Sequence, residues 1–160
     1  MQDSSDNAHK SPLYLEDITV GLKFQTGTHR IDERQIVDFA GQFDPQPLHF
    51  SAKAAEESFF GGLVASGWHT AAITMRLMVT GGPPLAGGMI GVGGTVEWPR
   101  PTKPGDVLQV EGEVVSITPS KSHPDRGIVA IRTETKNQRG DAVQLMTAKL
   151  LMFRRSAKTA

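Results

Sequence analysis

The stretch SGWHTAAITMRLMVTGGPP occupies residues 66–84 and decides the fold. From Trp68 to Val79 its apolar side chains recur around much of a helical circumference, which predicts a helix buried on most sides. Gly81, Gly82 and the two prolines that follow then end the helix. This stretch is the best candidate for the central helix of the core.

The composition is that of an ordinary soluble protein. A single domain of 160 residues buries roughly 70% of its unfolded surface, so it needs no metal or disulfide to fold. With 17 basic and 17 acidic residues, nucleic acid is not expected as the principal partner. The absence of cysteine excludes thiol catalysis, disulfides and Cys-ligated metals.

The two ends of the sequence are polar. Residues 1–11 and 156–160 are predicted to be flexible tails, and residues 12–155 a single domain. The start has neither the basic segment nor the apolar segment of a secretory signal, and no later apolar run reaches the ~18 residues of a membrane span. We therefore expect a soluble, cytoplasmic protein with no membrane contact.

Two short helices precede the central one. Asp32 and Gln35 form a capping-box pattern before a helix over residues 33–43. Pro45 and Pro47 must stop this helix and stiffen a constrained loop. After that loop, Ser51 is a plausible N-cap for a second helix over residues 52–58.

The second half of the chain changes to strands. Alternating and β-branched segments separated by turn residues predict strands at about residues 89–98, 107–117, 127–136 and 142–153, with an early strand at 23–29 as a fifth. Helices followed by a run of strands indicate an α+β protein, with an antiparallel sheet and the helices on one face.

Asp44 and His49 are the first candidates for chemistry. They lie five residues apart in the proline-stiffened segment, where a carboxylate and an imidazole could face one cavity and activate a water. The alternative is structural: Asp before Pro is a common turn residue, and a lone His often satisfies loop hydrogen bonds. Spacing alone favours this structural interpretation.

Ser66 and Gly67 open the central helix. Free amide hydrogens at a helix N-terminus favour developing negative charge, so this position could hold a thioester oxygen. Taken alone, these two residues favour the structural alternative, in which Ser66 caps the helix and Gly67 permits close packing. His69 is offset around the helix from these amides, and we predict a packed or surface histidine there.

Other site types have little support. Five histidines without an HxH or HExxH pattern predict no metal site. The glycine-rich stretches lack the spacing of a Walker loop or a dinucleotide fingerprint, so no phosphate role is assigned to them.

Two segments together resemble a known family. Residues 43–49 read FDPQPLH, and after Phe60 residues 64–68 read VASGW. Their order and spacing are similar to those of the MaoC-like dehydratases and (R)-specific enoyl-CoA hydratases, which carry Asp-x-Asn-Pro-x-His and then a Gly that starts the long helix. The resemblance runs from about Leu13 to Arg155 and includes residues 96–101, 104–106, 125–127 and 137–138.

The resemblance implies a hot-dog fold, in which the sheet wraps the long helix, and a homodimer or dimer of dimers. It assigns Asp44 and His49 to hold and deprotonate one water, and the Gly67 amide to polarise the thioester carbonyl. The substrate would be an acyl-CoA, with no further cofactor. Arg100, Lys103, Lys121 and Arg126 are candidate contacts for the CoA phosphates, although loop cations are more often only solvated.

Two residues depart from the family pattern. Gln46 replaces the usual Asn, and Ser66 replaces a His found in many members, so both are treated as site-supporting residues that could alter substrate choice. The sequence predicts reversible hydration of a trans-2-enoyl-CoA. An acyl-CoA thioesterase and a non-catalytic acyl-CoA-binding subunit remain the alternatives, because one fold hosts many functions.

Overall fold

A computed structural model of the protein describes residues 11–156. The predicted tails, residues 1–11 and 156–160, lie outside this range except for Ser11 and Ser156, so the domain boundaries stay predictions. No helix in residues 11–156 is long and apolar enough to cross a membrane.

The predicted elements are present, with ends within two residues of the expected positions. The helices are α1 (Glu33–Phe43), α2 (Pro47–Phe50), α3 (Ala52–Glu56) and α4 (Gly67–Gly81), and the strands are β1 (Lys23–Arg30), β2 (Ile90–Glu97), β3 (Val107–Pro119), β4 (Arg126–Lys136) and β5 (Ala142–Phe153). Two elements have no counterpart in the sequence prediction: α2 and a short 3-10 helix at Leu15–Asp17.

The five strands form one sheet in the order β1-β3-β4-β5-β2, and every neighbouring pair is antiparallel. The long helix α4 packs across β1, β3 and β5. A sheet wrapped on one long helix is the hot-dog fold, and the predicted α+β class is confirmed.

One face of α4 forms the centre of the core. Ile73, Leu77 and Met78 are each at most 5% exposed, and they share a cluster with Ile31 and Ile36 next to and within α1. Burying an apolar side chain of this size contributes roughly 1.5–3 kcal/mol, so this face alone anchors the helix to the sheet.

The sequence prediction of burial is wrong for the opposite face of α4. Trp68, Met75 and Val79 are 61%, 45% and 57% exposed, so within one chain the helix is not buried on most sides. Periodicity reports which side chains are apolar, and it does not report which surface covers them. An apolar strip on α4 therefore lies open in the single chain.

The predicted loop after α1 is also corrected. α1 begins with its capping box, where Asp32 Oδ1 accepts a hydrogen bond from the Gln35 N–H at 2.8 Å, and it ends before Asp44 as expected. The constrained loop is broken by α2, a single helical turn that begins at Pro47. Proline disfavours helix in the residue before it, but its fixed φ suits the first helical position. His49 consequently lies on a helical turn.

Candidate active site

Asp44 is held at the C-terminal end of α1. Its backbone N–H donates to the Ala40 carbonyl at 3.0 Å. Its carboxylate accepts the Ser66 hydroxyl at Oδ2 (2.6 Å) and the Gln46 side-chain amide at Oδ1 (2.7 Å). Two donors on one carboxylate leave the side chain little freedom, and about two of its four lone-pair positions stay open.

His49 faces Asp44 from α2. Its Nδ1 lies 2.7 Å from the Val64 carbonyl oxygen. A carbonyl can only accept, so Nδ1 carries a proton, and in the neutral ring the lone pair is on Nε2. Nε2 lies 3.5 Å from Asp44 Oδ2, which is longer than an ordinary N–H···O hydrogen bond. The carboxylate and the imidazole thus face each other across a short gap.

Ser66 and Gly67 form the start of α4 beside this pair. Ser66 is 1% exposed and caps the helix, since its Oγ accepts the Trp68 N–H at 3.2 Å while donating to Asp44. Gly67 is the first helical residue, so its N–H has no acceptor within the helix. One hydroxyl therefore joins the Asp44 carboxylate to the positive end of the helix dipole.

The hydrogen bonds determine the charge of Asp44. The Ser66 hydroxyl, and then the Gln46 amide, hold the pKa of the Asp44 carboxyl below its usual value. Burial raises this pKa, but by less than either hydrogen bond lowers it. The nearby His49 has the smallest effect and lowers the pKa further. Asp44 is therefore a carboxylate at neutral pH and a weak proton acceptor.

The structure brings most of the predicted site residues together. Asp44, His49, Ser66 and Gly67 meet at the N-terminus of α4, and Gln46 reaches back to Asp44. Gln46 is one methylene longer than the Asn of the family motif, and its side chain folds back to reach Asp44. The pairing of a carboxylate with an imidazole suits proton transfer.

His69 is buried, which is the first of the two predicted alternatives, a packed or a surface histidine. Its ring stacks on Phe39 with a centroid distance of 4.4 Å and an angle of 3° between the planes. Among residues 11–156, its buried Nδ1 has no hydrogen-bond partner. Burial, and to a smaller extent nearby His29, lowers the pKa of His69 to about 4, so the ring is neutral at pH 7.

The candidate CoA-phosphate contacts lie in two places: the loop after β2, and the region where β3 turns into β4. Lys103 and Arg100 lie in the loop after β2, which joins the site where the Thr102 carbonyl accepts the Ala65 N–H at 2.9 Å. Arg100 forms an ion pair with Asp141. Lys121 is exposed in the turn between β3 and β4.

Arg126 lies at the start of β4, and its contact with the CoA phosphates stays a prediction. It pairs with Asp125 at 2.9 Å and sits over the Phe153 ring. Roughly 30 Å of strand separates it from Thr135, which contacts α4 at Thr74.

Three groups beside the site had no assigned role in the sequence prediction. The Val64 carbonyl is a backbone group, and no side-chain pattern could reveal it. Trp98 lies against Gly67 and donates its indole N–H to Gln144 at 2.9 Å. A single Gln among the apolar residues of β5 was the available signal for this contact.

The fold and the site together define a hot-dog protein with a carboxylate and an imidazole at the start of its central helix. A model of the MaoC-like domain matches residues 8–138, and the chain belongs to this family of MaoC-like dehydratases.

Three relatives support this assignment. The crystal structure of a MaoC-like dehydratase from Rhodospirillum rubrum is 58% identical, with a TM-score of 0.88 over 91% of this chain and 99% of that chain. The unliganded R-hydratase PhaJ1 from Pseudomonas aeruginosa is 29% identical, with a TM-score of 0.70 over 93% and 92% of the two chains. A 3-hydroxybutyryl-CoA dehydratase from Methylorubrum extorquens is 30% identical over 110 residues, or 68% of each protein. Family and neighbours support hydratase or dehydratase activity in general.

Proposed function

We propose that this protein catalyses the reversible hydration of a trans-2-enoyl-CoA to a 3-hydroxyacyl-CoA. The observation that carries the proposal is the 3.5 Å gap between His49 Nε2 and Asp44 Oδ2, with each group fixed by hydrogen bonds of its own. The similarity to a 3-hydroxybutyryl-CoA dehydratase and to an R-hydratase supports this reaction class.

One water bridges Asp44 and His49 in this mechanism. The two atoms lie 3.5 Å apart, too close for a water to fit between them, so the water lies beside the pair within hydrogen-bond distance of both. The water donates one hydrogen to the Nε2 lone pair and the other to the carboxylate. Its oxygen then has a lone pair free for attack on the β-carbon of the enoyl thioester.

His49 is the base in this mechanism. Asp44 already accepts two hydrogen bonds that lower its pKa, so it orients the water and stabilises the imidazolium. As the water oxygen bonds to the β-carbon, His49 Nε2 takes the water proton, and the electrons of the C=C bond move towards the thioester oxygen. The imidazolium then returns the proton to the α-carbon, so that one water has been added.

The Gly67 amide stabilises the negative charge on the thioester oxygen. It is a free donor at the first position of a 15-residue helix, where the backbone dipole adds to its effect. Losing such a donor typically costs about 3–4 kcal/mol of transition-state stabilisation. Lys103 is the cation best placed for the CoA phosphates, because its loop contacts the residue before Ser66 and no ion pair of its side chain is found within residues 11–156.

We also propose that a second copy of the chain covers the apolar strip of α4. Trp68, Met75 and Val79 lie exposed on α4, and β2, with Val92 55% exposed, is an edge strand of the sheet. An edge strand offers unpaired backbone groups to a partner. Native mass spectrometry should find a dimer or a dimer of dimers. The cytoplasmic location stays a prediction.

A panel of short and medium enoyl-CoA esters tests the reaction. Loss of the conjugated thioester absorbance, without release of free CoA thiol, is the expected result. Thiol release would favour a thioesterase instead, although α4 carries no Asp or Glu that could serve as its base. Binding without either reaction would favour a non-catalytic acyl-CoA-binding subunit.

A further inference from the structure

Trp98 fills the space beside the first residue of α4. A Cβ at position 67 would lie 2.7 Å from both Cδ2 and Cε2 of the indole, so only glycine fits against the ring. Gly67 is not among the glycines with a positive φ. The contact with Trp98, and not the backbone conformation, therefore requires glycine at this position.

Hydrogen bonds hold the Trp98 ring in place. Its Nε1–H donates to Gln144 Oε1 at 2.9 Å, and the Gln144 amide donates to Thr74 Oγ1 at 3.1 Å. The Thr74 hydroxyl also bonds to that of Thr135 on β4 at 2.6 Å. Gln144, Thr74 and Thr135 are fully buried, where an unpaired polar group is costly, so the arrangement favours one geometry.

The contacts of Trp98 and Gln144 connect two positions on α4. They begin at Gly67, pass through Trp98 and Gln144, and return to α4 at Thr74, two turns further along. The start of the helix is thereby tied to its middle through the sheet. The indole, held by Gln144, thus packs against the residue that carries the Gly67 amide.

We propose that Trp98 is a positioning residue that holds the Gly67 amide in place through its hydrogen bond to Gln144. The inference rests on the proposed function, in which this amide binds the thioester oxygen. An oxyanion donor must lie about 2.7–3.1 Å from the developing charge. A displacement near 1 Å can cost about 100-fold in rate, so a small tilt of the ring has a measurable effect.

Kinetics separate positioning from simple space filling. Trp98→Phe removes the indole donor, and Gln144→Met removes its acceptor at similar volume. Each variant should lower kcat about 10-fold with KM within about two-fold, since a loosened donor weakens transition-state binding most. The double variant should be no slower than the slower single variant, because both changes break one hydrogen bond.

Val143→Ala is the matched control. Val143 precedes Gln144 on β5 and is fully buried, but it belongs to the apolar core cluster. This variant should lower the Tm and leave kcat unchanged. If Trp98→Phe and Gln144→Met behave in the same way as Val143→Ala, the ring only fills space and the proposal is overturned.

A measurement without substrate distinguishes failure of this inference from failure of the proposed function. In ¹⁵N-labelled protein, Gln144→Met should shift both the Trp98 indole resonance and the Gly67 amide resonance. If the Gly67 amide resonance does not shift, the positioning contact is refuted even if the enzyme is active. An inactive wild-type protein refutes the hydratase proposal, and the Gly67 resonance then decides alone whether the positioning contact exists.

Discussion

His49 and His69 are equally buried, at 8% exposure each, but their surroundings differ in kind. His49 lies between a carbonyl that fixes its proton and a carboxylate that faces its lone pair. His69 lies face to face with Phe39 and has a buried nitrogen with no partner in the described part of the chain. Burial therefore does not distinguish the proposed catalytic histidine from the packed one. The partners of the two ring nitrogens do.

The largest expected effect is at the Asp44–His49 pair. Asp44→Asn removes the negative charge, and His49→Asn keeps a donor near Val64 while removing Nε2. Each change should lower kcat/KM by about 10³-fold, within the range of lost general acid–base catalysis. Steady-state hydration of an enoyl-CoA measures the loss, and circular dichroism checks that both variants fold. Turnover within a few-fold of wild type in both variants would show that the site is assigned wrongly.

Ser66→Ala should have the next largest effect. It removes a hydrogen bond to a charged group, worth about 1.5–3 kcal/mol, so we expect a decrease in kcat/KM of about 10- to 100-fold. The pKa of Asp44 should rise, because the Ser66 hydroxyl is the main cause of its lowering. A carbon-detected NMR titration of the Asp44 carboxyl measures this shift. Ser66→Thr keeps the hydroxyl and is the control, and an equal loss in Ser66→Thr would argue against the hydrogen bond as the cause.

Gln46→Ala should have a smaller effect on turnover. The Gln46 amide is the second donor to Asp44, but it is exposed, so its loss should cost roughly 1 kcal/mol, or about five-fold in kcat/KM. Gln46→Asn restores the family residue with a shorter reach. Comparing the two variants over acyl chains of different length shows whether Gln46 also affects substrate choice. Identical chain-length profiles would limit its role to Asp44.

His69→Phe should not change turnover at pH 7, which is the opposite of the result at His49. Phenylalanine keeps the ring on Phe39 and cannot titrate. In the wild type, the folded pKa of His69 is about 4 against an ordinary value of 6.5. Between these values the unfolded chain takes up a proton that the folded chain does not, so the free energy of unfolding falls as the pH falls from 6.5 towards 4.

The loss of stability from His69 should reach up to about 3 kcal/mol at pH 4. Urea unfolding of wild type and His69→Phe at pH 7, 5.5 and 4.5 measures it. The variant should show a flatter pH dependence, whereas parallel curves would mean that His69 does not contribute.

Local chemistry explains why much of the fold could be predicted from the sequence. The capping box at Asp32 and the prolines after Asp44 define both ends of α1, and so place Asp44 at a helix terminus. Turn residues between alternating segments separate the four later strands. The spacing of Asp44, His49 and Gly67 then carried the family resemblance.

The remaining features depend on contacts between residues distant in sequence. Trp98 and Gln144 are 46 residues apart and meet only because β5 lies beside β2. Val64 contributes a backbone carbonyl that any residue type would supply. The exposure of Trp68 likewise follows from tertiary packing, which periodicity does not show.

In the proposed reaction, Asp44 and His49 add one water across the double bond of an enoyl thioester. The direct test is hydration of a short enoyl-CoA in ¹⁸O-labelled water, with mass spectrometry of the products from wild type and His49→Asn. We expect one ¹⁸O in the hydroxyl of an intact 3-hydroxyacyl-CoA from the wild type, and almost none from the variant. Label in a free carboxylic acid, or equal labelling of the thioester by both proteins, would contradict it.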